Sequence, residues 1–146
     1  METEQRGEWY AFTVRQPWAE LIISGRKSIE IRSWVTDYRG RLWLHTGLKH
    51  DAALEREFGF RDLYRGGFIG SVELVAVVHI TPERWVQWAS RHLSTEAYSP
   101  GLVAWLLESP HRFRAPVAAR GELRLFRPND DLLRQLDASE RAVIDD

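Results

Sequence analysis

A chain of 146 residues is the size of one domain and can bury about 70% of the surface its unfolded form exposes, so a single core suffices. With 44% hydrophobic and 28% charged residues it has neither a disordered nor a membrane composition. Its longest apolar runs, Leu74 to Val78 and Leu102 to Leu107, are far short of the ~20 residues of a spanning helix.

The formal net charge of −1 is unevenly spread: residues 1–12 and 129–146 carry −2 and −4, whereas residues 13–128 hold 17 Lys and Arg against 12 Asp and Glu. The resulting +5 suits a polyanionic partner, and it equally describes a solvated surface between two acidic ends. Cysteine is absent, which excludes disulfides, thiolate metal ligands and cysteine nucleophiles. The first residues have no basic segment followed by an apolar one, so no secretory signal is expected and a cytoplasmic location is. The expected organisation is an N-terminal tail (1–10), one domain (11–128) and an acidic C-terminal tail (129–146), with no internal repeat.

In chain order, a first strand is expected at Phe12 to Val14. Pro17 then opens a short helix with Trp18, Leu21 and Ile22 at i, i+3, i+4 spacing, and Gly25 caps it. Ser28 to Arg32 and Arg41 to His45 alternate with period two, the pattern of strands with one wet face. A helix is predicted from Asp51 to Phe58. The β-branched run Phe68 to Ile80 predicts a long strand with a bend or bulge at Gly70. Thr81-Pro82 starts a helix that runs to about His92. Leu102 to Leu107 reads as a strand, and Val117 to Phe126 as one or two more around Gly121. Six or so strands with few long crossovers predict an α+β fold built on a small, mostly antiparallel β-barrel flanked by short helices.

The chemistry-bearing stretch is Gly25-Arg26-Lys27-Ser28-Ile29-Glu30-Ile31-Arg32. Alternation puts Ser28, Glu30 and Arg32 on one face, with Lys27 at the strand entrance, so a cation, a carboxylate and a guanidinium converge. Such a group holds a phosphate through Arg32 and accepts from a base amino group through Glu30. The same pattern also describes an ordinary half-exposed strand with paired charges. Only Lys27 and Lys49 among the 20 basic residues are lysine, which suggests that a compact ammonium is wanted at 27.

Gly25, Lys27, Glu30 and Arg32 match the G-x-K-x-x-E-x-R motif of the ASCH family, and Val14-Arg15-Gln16-Pro17-Trp18 resembles the segment that precedes it. The resemblance spans roughly residues 11–128. It implies a PUA-like barrel whose motif lines a cleft beside the first helix, and a role in binding RNA or another nucleic acid. Some relatives are hydrolases, including N4-acetylcytidine amidohydrolases and a ribonuclease. In the amidohydrolase type the motif lysine matches Lys27, but a threonine nucleophile stands where this chain has Glu30. Ser28 is the nearest hydroxyl, and the carboxylate at 30 is expected to keep Lys27 protonated.

Outside the motif, Trp18, Trp85, Trp88 and Trp105 have core-like spacing, whereas Trp34 and Trp43 are placed to stack a base or to pack under a helix. Arg15 and Gln16 begin the first helix, where an anion or plain solvent is expected. His45 is the histidine placed near the cleft, and the five histidines show no metal-ligand spacing, so neither a metal nor a cofactor is expected. The expected ligand contacts are Arg15, Gln16, Trp18, Lys27, Glu30, Arg32, Trp34 and His45. Lys27, Glu30 and Ser28 are the groups for any hydrolysis. Three functions remain open: a module binding RNA, a nucleotide or a modified nucleoside, a hydrolase acting on N4-acylated cytidine or single-stranded RNA, and a protein-interaction adaptor.

Overall fold

The structure, a computed structural model, describes residues 6–144. Five strands form one mixed sheet: β1 (Tyr10–Thr13), β2 (Ile29–Arg32), β3 (Gly40–Thr46), β4 (Gly67–His79) and β5 (Val103–Ala118), in the order β1-β3-β4-β5-β2. The β1–β3 pair is parallel and the others are antiparallel, and the sheet curls into a half-barrel. The helices are α1 (Trp18–Ile23), α2 (Ala52–Glu57), α3 (Pro82–Gln87), α4 (Ala89–His92) and α5 (Asp130–Ile144).

Local signals account for most helix ends. Asp51 accepts from Leu54 N–H and Thr81 from Arg84 N–H, each as an N-cap. Gly25, at φ +87°, turns the chain after α1, and Lys27 N–H donates back to Leu21. The helix expected from Thr81 to His92 is two short helices that break at Trp88, with Leu93 left-handed at the end of α4.

Alternation sends Phe12, Leu42, Leu44, Val72, Leu74 and Trp105 into the concave core under α1, while Ala11, Trp43, Phe68 and Phe113 face the opposite way. Trp85, Trp88 and Tyr98 pack over Ile29, Ile80 and Ala104 in a third cluster. Fully burying each large aliphatic or aromatic side chain contributes about 1.5–3 kcal/mol, so both faces of the sheet stabilise the fold.

Two expectations are corrected. Among the described residues the fold has five strands, because Val117 to Phe126 forms no separate strand. Instead β5 continues to Ala118, and the loop after it touches the sheet through an Ala11–Phe126 bridge. Within β5, Ser109 adopts φ +51° and the β4–β5 register shifts between Ser71 and Glu73, which marks a bulge there. Gly70 sits at another shift, where a Cβ would lie 2.1 Å from the His111 carbonyl oxygen, so the two strands can approach only at glycine.

The second correction concerns the wet face. Residues 129–146 read as an acidic tail, but α5 occupies most of them, while 145–146 lie outside the described residues. Asn129 caps the helix by accepting from Leu132 N–H, and Leu136 is fully buried against the second cluster. Glu140, also buried, accepts from Ser71 Oγ at 2.7 Å and pairs with His111 Nδ1 at 2.7 Å. Part of the N-terminal tail joins the same cover: Trp9 packs on Trp43 with ring centroids 4.5 Å apart, and Arg6 pairs with Asp137. Residues 1–5 lie outside the described residues.

Candidate functional site

The ends of β1 and β2, α1, the turn after β3 and the loop after β5 enclose a cleft with two adjoining lobes. The larger, of about 600 Å³, takes Thr13, Arg15, His45, Lys49 and residues 121–124 as walls. The smaller, of about 420 Å³, is bounded by Lys27, Trp34, Trp85 and residues near Ser94 to Ser99. Trp18, Glu30 and Arg32 belong to both, so the motif forms the ridge between the lobes.

On that ridge Glu30 bridges two cations: Oε1 lies 3.6 Å from Lys27 Nζ, and Oε2 lies 3.3 Å from an Arg32 nitrogen. Arg32 also donates to the Thr13 carbonyl at 2.9 Å, and its guanidinium lies 5.6 Å from the Phe12 ring centroid. Lys27 is only 3% exposed, donates to the His92 carbonyl, and sits 4.8 Å from the centre of the Trp18 ring. Burial lowers the Lys27 pKa below the ordinary lysine value, Glu30 pulls it the other way, and Arg32 adds to the lowering. Desolvation and the carboxylate thus act on Lys27 in opposite directions, while the ion pair with Glu30 stays in place.

The other residues singled out from sequence divide between lining and scaffold. Arg15 and Trp18 line the cleft, and Trp34 walls the smaller lobe with its ring edge-on to Trp105. Gln16 does not line it: 1% exposed, it ties Glu20 N–H to its Oε1 and donates to the Tyr64 carbonyl. Ser28 precedes β2, accepts from Arg91 Nε at 3.0 Å, and opens on a separate recess, because the alternation begins only at Ile29. Trp43 is completely buried on the far face, since Trp9 and α5 cover what the sequence presents as a wet surface.

His45 reaches the larger lobe, with both ring nitrogens engaged. The Ala119 carbonyl, which can only accept, lies 2.8 Å from Nε2, so Nε2 carries the proton and Nδ1 accepts from the Thr13 hydroxyl at 3.1 Å. Burial lowers the His45 pKa, with the Ala119 bond opposing. Gly121 covers the pair, and a Cβ there would come within 2.5 Å of both side chains.

Thr13, Lys49 and the 121–124 loop carried no site signal in the sequence, where Val117 to Phe126 reads as sheet. In this loop Leu123 is 90% exposed, and Arg124, at φ +58°, lays its guanidinium 4.9 Å from the Trp34 ring centroid. Among the described residues no cluster of three or more His, Cys, Asp or Glu is placed to hold a metal ion, and no helix is long and apolar enough to cross a membrane.

A curled five-stranded sheet with a charged, two-lobed cleft at the end of its first helix defines the class, a PUA-like α+β domain. The ASCH domain matches residues 12–116, and the chain belongs to the ASCH family. It is 45% identical over 49 residues to human activating signal cointegrator 1, and 50% identical over 38 residues to the mouse protein. These stretches are 34% and 26% of this chain but 8% and 6% of the relatives, so it spans a small part of their length. In fold it is similar to the crystal structure of ASCH from Zymomonas mobilis, with a TM-score of 0.65 and 16% identity over 92% of this chain and 96% of that one. A serine-to-alanine mutant of that protein gives a TM-score of 0.64 at 15% identity, over 92% and 98% of the two chains.

Proposed function

We propose that this chain binds RNA, a nucleotide or a modified nucleoside in the two-lobed cleft. The observation that carries the reading is the contrast between adjoining lobes. Arg15, Lys49 and Arg124, with the shared Arg32, give the larger lobe four cationic side chains against the carboxylates of Glu30 and Glu122, whereas the smaller sets Trp34 and Trp85 beside Lys27, Glu30, Arg32 and Glu96. Phosphates suit the first lobe and a base the second. The association of ASCH domains with RNA binding agrees with this.

The test is anisotropy titration of labelled single-stranded RNA. Replacing Arg15 and Arg124 together by Ala should weaken binding about tenfold or more through two lost phosphate contacts. Unchanged affinity in a folded double variant would overturn the reading.

A hydrolytic form of the same reading is favoured by the Thr13–His45 pair, a hydroxyl donating to a neutral imidazole on the cleft wall. Ser28, engaged by Arg91, is the poorer nucleophile. Turnover of N4-acetylcytidine or RNA that survives Ser28→Ala but is lost in Thr13→Ala would support it, and the reverse order would sink it.

A further inference from the structure

We propose that Lys27 forms a covalent imine with an aldehyde, and that the aldehyde is the ring-opened sugar left on a nucleic-acid strand where a base has been lost. The choice of a polyanionic carrier rests on the nucleic-acid reading of the cleft; the amine chemistry rests on the Lys27 site itself.

Lys27 combines what an imine-forming amine needs. It borders the smaller lobe, beside a carboxylate and against the face of Trp18, with most of its hydration removed. An ammonium has no lone pair, so only the neutral amine attacks carbon, and burial favours that form. Glu30 is held on the Arg32 side through Oε2, which leaves Oε1 turned to Nζ as a proton carrier.

The steps balance without an oxidant or reductant. The Nζ lone pair attacks the aldehyde carbon while the carbonyl π electrons move to oxygen; the Glu30 carboxylate takes one proton from the resulting Nζ and hands it to the alkoxide, giving a neutral carbinolamine. The remaining Nζ proton then passes through Glu30 to the hydroxyl, which leaves as water as the nitrogen lone pair forms the C=N bond. Amine and aldehyde give imine and water, and Glu30 ends as it began. A strand lacking one base has a free carbonyl at the sugar and room in a lobe that would otherwise hold the base.

The chain has two lysines, so the test is internally controlled: Lys49 lies in the exposed turn after β3, on the larger lobe. The full chain would be incubated at pH 7 with cyanoborohydride and either a single-stranded oligonucleotide carrying one abasic site or butyraldehyde, then digested and mapped by mass spectrometry. The expected result is a reduced adduct on Lys27 exceeding that on Lys49, because Lys27 is desolvated and sits beside a carboxylate that can carry its proton, whereas Lys49 is exposed. The adduct should be absent in Lys27→Met and slower to form in Glu30→Gln. An adduct confined to Lys49 or the α-amino group, or none, would overturn the proposal. Equal Lys27 labelling by butyraldehyde and the oligonucleotide at matched concentration would overturn the abasic-strand assignment alone. Binding of an intact oligonucleotide, measured separately, tells whether the nucleic-acid reading itself fails. Mapping on the natural chain decides even if Lys27→Met does not fold.

Discussion

Arg32 shows how one side chain serves both fold and site. Its guanidinium joins the Thr13 carbonyl on β1 to Glu30 on β2, the two edge strands, so it staples the mouth of the half-barrel while lining the cleft. We expect Arg32→Ala to cost roughly 2–4 kcal/mol in urea unfolding, because it leaves a mostly buried carboxylate and a carbonyl with fewer partners. Lys27 carries the opposite sign. Its folded-state pKa lies below the 10.5 of an ordinary lysine, so between the two values the unfolded chain holds the extra proton. Stability should therefore rise with pH through that window, levelling off above 10.5. Lys27→Met should lack this rise, and comparing urea midpoints of the two proteins at stepped alkaline pH would show it.

Among the elements, α5 decides how the electrostatics can be tested. Deleting residues 129–146 to remove their net −4 would also uncover Trp43, Phe68 and Phe113 and strip Ser71 and His111 of their Glu140 partner. Leu136→Ala alone should cost about 2–5 kcal/mol, read from the urea midpoint, since the side chain is wholly buried. The exposed acids Asp130 and Asp131 offer a cleaner change: replacing both by Asn should tighten RNA binding modestly at low salt and leave it unchanged at high salt. The 119–124 loop is the other element with a single point of failure. Gly121→Ala places a methyl against His45 and Thr13, so it should displace Arg124 and weaken RNA binding while the sheet still folds, as circular dichroism would confirm.

At the scale of the molecule, a near-neutral protein with a cationic lobe is expected to bind a polyanion through a few contacts. A plot of log affinity against log salt should then have a shallow negative slope, about −0.7 for each phosphate held on a single strand. A slope of zero would point to an uncharged nucleoside, with the smaller lobe carrying the affinity.

The α+β class, the positions of α1, α2 and the start of α3, and the convergence of Lys27, Glu30 and Arg32 were all legible in the sequence. They rest on short-range causes: capping groups, the 3.6 and 2.0 periodicities, and a motif within eight residues. What covers each face, and which loop closes the cleft, depended on the folded chain. Trp43 alternates like a wet-face residue, and it takes Trp9 together with α5, nearly a hundred residues away in the chain, to make that face a core. Arg124 reads as part of a strand until Gly121 packs on the Thr13–His45 pair and swings the following residues over Trp34. In each case the deciding partner lies far along the chain, and periodicity is blind to it because it records which residues share a face but not what is packed against that face.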